Sequence, residues 1–143
     1  MTFEIFNPES LGAPRGWNHG LLAPKGGRLL FIAGQIGLSA GISPSGLAAS
    51  PPPAFVEQFG NALDKVVAVI RAAGGDPGDL ARMTIFVTDL GVYRASLAAL
   101  GEAWRPRFGR HYPAMALVEV RGLVDHGAMV EIEATAVIPE ARP

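Results

Sequence analysis

The chain has 143 residues, a formal net charge of -1, 49% hydrophobic and 17% charged residues, and no cysteine. That is the length of one domain, too apolar and too weakly charged for disorder. A disulfide framework, a thiolate zinc site, an iron–sulfur cluster and a Cys nucleophile are all excluded. The near-neutral balance argues against nucleic acid as a main partner. No apolar run approaches the roughly 20 residues that span a bilayer. Met1 to Ser10 carries Glu4 and Glu9 and no basic residue, unlike a secretory signal, so a cytoplasmic protein is expected. A domain of this size buries only about two-thirds of the surface its unfolded chain exposes. The small charged fraction therefore points to self-association.

Thr2 to Phe6 has strand-forming residues and stops at Asn7-Pro8. Gly12 to Gly16 is loop, Trp17 to Ala23 reads as a strand, and Lys25-Gly26-Gly27-Arg28 reads as a hairpin turn. Leu29 to Ile36 is apolar on both faces and interrupted by Gly34, which permits a bulge or close approach of a ligand to the backbone. Ser39 to Pro53, with its run of prolines, reads as an irregular loop. The spacing of Phe55, Phe59, Leu63, Val66 and Ile70 predicts a helix over Ala54 to Ala73, stopped by Gly74-Gly75. Leu80 to Asp89 is a predicted strand, and Gly91 to Arg105 a second helix ended by Pro106. Ala114 to Val120 and Met129 to Ile138 are the last strands, followed by a polar tail. Val130, Ile132, Ala134, Ala136 and Ile138 share one face of the final strand, and Glu131, Glu133 and Thr135 the other. The order β-β-β-α-β-α-β-β predicts one α+β domain over residues 1–143, a two-layer sandwich with two helices on one face of a mixed sheet. Met115 and Leu117 are assigned to the opposite face, where they would pack against other subunits.

There is no phosphate-binding GxxxxGK[ST] and no GxGxxG between a strand and a helix. Ser43 and Ser45, between Gly41 and Gly46, depart from GxSxG spacing and read as a turn. His19, His111 and His126 are scattered, read as solvated, and suggest no metal site. Arg105, Arg107, Arg110 and His111 interleave with Trp104, Phe108 and Tyr112. Such a stretch can stack single-stranded nucleic acid. The simpler reading is cations at a helix C-terminus, with aromatics anchoring that helix to the sheet. Glu131 and Glu133 project from one strand face, where a carboxylate among apolar neighbours carries a desolvation cost unless partnered. Two readings stay open. One is a strand edge at which the carboxylates meet water or arginines; the other is a general acid/base or a ligand hydrogen-bond acceptor.

Four collinear segments carry a resemblance. Phe31-Ile32-Ala33-Gly34-Gln35-Ile36-Gly37 resembles the F-[VI]-S-G-Q-[IV] segment of the reactive-intermediate deaminase family (Rid, formerly YjgF). Asn61-Ala62-Leu63 through Ala72-Ala73-Gly74 is similar to its N-L…LxAAG helix, and Met83 to Leu90 to its V-x-[VI]-F-[VL]-T-D-[ML] strand. Pro113 to Val120, followed by Val130 to Ala136, is similar to its P-A-x-x-x-V-x-V…[VI]-E-I-E-A-x-A signature. The resemblance implies a chorismate-mutase-like fold, a homotrimer, clefts between subunits, a small-molecule ligand and no cofactor. Archetypal members hydrolyse enamines and imines such as 2-aminoacrylate, clamping the substrate carboxylate with an arginine. A Ser, an N-terminal aromatic, an Asn and a Glu also line the cleft.

Position by position, the pattern departs. The clamp arginine is Met115, the Ser is Ala33, the Asn falls at Gly91 and the aromatic at Trp17, while Gly34, Gln35 and Glu131 keep the pattern. Methionine cannot replace a bidentate, charge-assisted Arg–carboxylate pair. The expectation is a divergent Rid-type protein whose intersubunit cleft is lined by Trp17, Ala33, Gly34, Gln35, Gly91 and Met115. Glu131, its catalytic candidate, would orient water or accept a ligand N–H. The ligand would lack the usual α-carboxylate or present it elsewhere, and 2-aminoacrylate activity would be weak or absent. A binding or regulatory module without turnover, and ribonuclease-like RNA cleavage, are the alternatives.

Overall fold

The computed structural model describes residues 3–38 and 53–140. Most of the Pro-rich segment, with Ser43 and Ser45, lies outside them. The strands are β1 (Glu4–Phe6), β2 (Gly20–Leu22), β3 (Gly27–Ile36), β4 (Leu80–Val87), β5 (Ala114–Glu119) and β6 (Val130–Pro139). The helices are α1 (Phe55–Ala72), α2 (Leu90–Ala95) and α3 (Leu97–Phe108). The main sheet has the order β3-β6-β4-β5, parallel between β4 and β5 and antiparallel elsewhere. Helices cover one face of this mixed sheet, which is the α+β fold expected from sequence.

Helix α1 turns Phe55, Phe59, Leu63, Val66 and Ile70 into the core. It ends in a Schellman cap: Gly75 N–H donates to the Ile70 carbonyl, and Gly74, at φ +85°, to that of Arg71. At its start Gln58 is fully buried. The Gln58 side-chain amide donates to the Pro53 and Gly127 carbonyls at 2.9 and 3.0 Å, and Oε1 accepts from Met129 N–H at 2.9 Å. This one side chain fastens the entry of α1 to the entry of β6. Gly37 packs so closely on the Gln58 backbone that a Cβ there has no room.

Four sequence expectations need correction. The turn before β3 is present, with Gly26 at φ +88°, but it closes no hairpin, because β2 pairs with β1 in a separate two-stranded sheet. Asn18 draws that segment toward the opposite edge of the main sheet: its N–H donates to the Pro113 carbonyl (3.1 Å) and its side chain to that of Tyr112 (2.7 Å). The single helix expected over Gly91 to Arg105 is two, broken at Ser96, whose hydroxyl donates back to the Val92 carbonyl at 2.7 Å. Such back-bonding bends a helix. Pro106 lies inside α3 rather than ending it. It falls in the last turn, and Phe108 beyond it is held in the core by Trp104, 4.5 Å away between ring centroids.

The fourth correction concerns Met115 and Leu117. Strand β5 runs parallel to β4 with Met83 beside Met115 and Ile85 beside Leu117. Residues directly opposite on neighbouring strands point to the same face, and Met83 and Ile85 are buried under the helices. Met115 and Leu117 therefore belong to the helix side and pack on the core. Ala114-Met115-Ala116-Leu117-Val118 is apolar at every position, so alternation gives no phase. The uncovered face is nevertheless apolar through other residues: Phe31 is 75% exposed, Leu29 64% and Val118 43%. Among the described residues, no helix is long and apolar enough to cross a membrane.

Candidate functional site

Strand β3 carries a bulge between Ile32 and Gln35, so that Ala33 and Gly34 together oppose Glu133 of β6. The Gln35 side chain donates to the Ala33 carbonyl at 3.1 Å and closes the bulge on itself. Past the bulge Ile36 pairs with Glu131. The Glu131 carboxylate lies over Gly34: a Cβ added there would sit 2.6 Å from Oε1. Glu131 is half-buried, while Ala33 and Gly34 are exposed. Ala33, Gly34 and Glu131 are thus brought together at the β3 edge of the sheet, with Glu131 on the face away from the helices, while Gln35, beside the buried Ile132, belongs to the helix side.

Trp17 and Met115 stand elsewhere. They line a cavity of about 470 Å³ between the N-terminal loop, β5 and the helix pair, with Tyr93, Leu100, Trp104 and Leu117 among its other walls. The loop holding Trp17 is tied down twice, by Asn18 on the residues before β5 and by His19 Nε2 on the Gly12 carbonyl at 3.1 Å. Within one chain this cavity and Glu131 occupy opposite faces and opposite edges of the sheet. Gly91 joins neither group. It lies in the first turn of α2, where Asp89 accepts from Val92 N–H and Glu119 from Leu90 N–H. A Cβ on Gly91 would approach Asp89 Oδ1 at 3.1 Å.

The remaining sequence candidates resolve as structure. His111 is not solvated: it is half-buried, with Nε2 2.6 Å from the Leu80 carbonyl and its ring against Phe3. No group of three His, Asp or Glu side chains suited to a metal ion occurs among the described residues. Trp104 and Phe108 are buried, Trp104 stacks on Tyr112 at 5.8 Å, and Arg107 is bound bidentately to Asp64 of α1 at 2.6 and 3.1 Å. The basic-aromatic stretch is therefore an anchor between α3, α1 and the sheet, as the simpler reading held.

Arg15 is the residue the sequence does not announce. Among the described residues it is the one charged side chain lining the 470 Å³ cavity, it is exposed, and it has no hydrogen-bond or ion-pair partner among them. It sits in a loop without periodicity. The one available signal was its place two residues before Trp17.

The family model described as Endoribonuclease L-PSP matches residues 9–138. The RutC family protein y4sK of Sinorhizobium fredii is 36% identical over 112 residues, covering 78% of this chain and 81% of its own. The 2-iminobutanoate/2-iminopropanoate deaminase of Escherichia coli is 34% identical over 113 residues, covering 78% and 80%. Among solved structures, the Rid-family protein YyfB of Yersinia pestis matches with a TM-score of 0.77 at 28% identity, covering 96% of this chain and all of its own. The structure of E. coli TdcF with bound serine matches with a TM-score of 0.59 at 31% identity, covering 88% and 91%. The fold, the bulged Gly34 segment, the Glu131 strand and these matches agree: the chain belongs to the Rid (YjgF) family.

Proposed function

We propose that this protein hydrolyses an imine or enamine derived from an amino acid, at a cleft formed where two copies of the chain meet. The observation that carries the reading is the Glu131 carboxylate lying over Gly34 at an exposed bulge. Family membership and the deaminase relatives support the choice of reaction. In the proposed chemistry Glu131 accepts a proton from water as its oxygen adds to the imine carbon. The proton passes to nitrogen, the C–N bond breaks, and a ketone and ammonia leave. The cavity at Trp17 and Met115 supplies the second wall, and since one chain keeps it apart from Glu131, a neighbouring subunit completes the cleft. The uncovered face with Phe31, Leu29 and Val118 supplies the apolar surface for a homotrimer. A molecule bearing only a small carboxylate is a poor substrate, because Met115 offers it no cation.

The test is ammonia release from imines generated in place by an amino-acid oxidase, with wild type and Glu131→Gln. A parallel assay uses single-stranded RNA. Accelerated hydrolysis that Glu131→Gln loses by about 100-fold supports the reading. No acceleration for any imine leaves a binding module, and RNA cleavage without ammonia release replaces hydrolysis altogether.

A further inference from the structure

Resting on that reading, we propose that Arg15 takes the carboxylate of the substrate, and that the substrate carries a large apolar side group which fills the cavity behind Trp17 and Met115. Three observations lead there. The cavity holds about 470 Å³, several times the bulk of 2-aminoacrylate with its six non-hydrogen atoms, and within the range that binds ligands of larger size. Its walls are apolar and aromatic, with Leu97, Leu100, Trp104 and Leu117 turned inward, so a small polar molecule would leave most of them unfilled. Among the described residues its one charged lining residue is Arg15, whose guanidinium is unengaged by any of them.

The position of Arg15 is built rather than incidental. The loop from Gly12 to Gly16 is closed at its ends by the His19–Gly12 contact and by the two hydrogen bonds of Asn18 to Tyr112 and Pro113. Gly16 stands at φ +81°, a conformation other residues rarely adopt. These restraints fix the backbone beside Arg15 against the strand that carries Met115. A guanidinium pairs with a carboxylate through two parallel N–H···O bonds wherever it is placed. Met115, unsuited to the carboxylate, is suited to the apolar side group. The two residues thus divide the ligand: charge at the mouth, hydrocarbon inside. The imine carbon, one bond from the carboxylate, stays at the rim, where a neighbouring copy's carboxylate has access. In place of a site that turns carboxylates away, this geometry accepts those with a bulky apolar tail.

The experiment is calorimetric titration of the full chain with phenylpyruvate, its uncharged amide and pyruvate, using wild type, Arg15→Gln and Arg15→Lys. Arg15 is exposed, so the variants are expected to melt with the wild type. Wild type should bind phenylpyruvate about tenfold or more tightly than the amide, from the charge-assisted pair. It should bind phenylpyruvate at least about tenfold more tightly than pyruvate, from the buried ring. Arg15→Gln should remove the preference for acid over amide, and Arg15→Lys should keep part of it. Equal binding of acid and amide by wild type, no binding of phenylpyruvate, or an Arg15→Gln variant that binds it unchanged overturns the proposal. The two readings fail separately. Phenylpyruvate binding that needs Arg15, without ammonia release from the phenylalanine-derived imine, sinks hydrolysis and keeps the Arg15 site. Ammonia release from that imine, unaltered in Arg15→Gln, does the reverse.

Discussion

At position 34 the missing side chain is what leaves Glu131 its place. A methyl group there meets Oε1 at 2.6 Å, and the carboxylate, as the end of a flexible side chain, swings aside at little energetic cost. Gly34→Ala is therefore expected to change unfolding free energy by less than about 1 kcal/mol. Imine turnover should fall by roughly 10–100-fold, since an ångström of displacement at a reacting group is that costly. Parallel denaturation and ammonia-release assays check the split; equal losses in both would mean that Gly34 serves only the fold. Met115→Arg tests the other wall. It places a cation at the position that the family resemblance gives to the carboxylate clamp, and 2-aminoacrylate hydrolysis should rise about tenfold or more. Because Met115 packs on the core under the helices, the variant should also lose roughly 1–3 kcal/mol of stability. Unchanged 2-aminoacrylate turnover in a folded variant would remove Met115 from the cleft.

Elements were legible in proportion to how one-sided they are. Helix α1 has a clean apolar stripe and a glycine stop, and β6 alternates between buried and open positions from Val130 to Ala136, so both were readable to within a residue or two. Strand β5 is apolar on both faces, and only its pairing with β4 orients it. The break at Ser96 coincides with a hydroxyl turning back to Val92, and the segment that carries β2 is anchored by long-range bonds from Asn18; no local pattern encodes either. The site divides along the same line. Glu131 and Gly34 stand in a recognisable motif, whereas Arg15 becomes relevant only when the chain folds its loop onto β5. Gln58 carries no signal in the sequence, yet it is buried and joins α1 to the approach of β6. Gln58→Leu leaves Met129 N–H and the Pro53 and Gly127 carbonyls without that partner. It should cost about 2–4 kcal/mol in urea or thermal unfolding; a cost under about 1 kcal/mol would show that water replaces the amide freely.

For the whole molecule the decisive surface is the uncovered side of the sheet. Phe31, 75% exposed, adds nothing to the core of one chain, yet stands beside Leu29 on an open face. Phe31→Glu should therefore leave each subunit folded while separating the assembly. Light scattering at micromolar concentration should read three times 15.0 kDa for wild type and 15.0 kDa for the variant. Imine turnover should fall with the dissociation, since Glu131 and the Trp17 cavity lie on opposite faces of one chain. A wild type that scatters as a single chain, or a monomeric variant that keeps full activity, would refute the shared cleft.

The bulge at Ala33 and Gly34 also acts as a spatial frameshift. Before it, even-numbered residues of β3 face the helices, with Leu30 beside Ala136 and Ile32 beside Ala134; after it, odd-numbered ones do, with Gln35 beside Ile132 and Gly37 against Gln58. Substituting Ala33 leaves that count intact, and Ala33→Ser should be absorbed without loss of fold. Deleting Ala33 would instead close the strand into regular alternation, with Ile32, Gln35 and Gly37 still on the helix side and only the bulge lost. The phase of the strand therefore does not require the extra residue; what would vanish with it is the open stretch of backbone beneath Glu131.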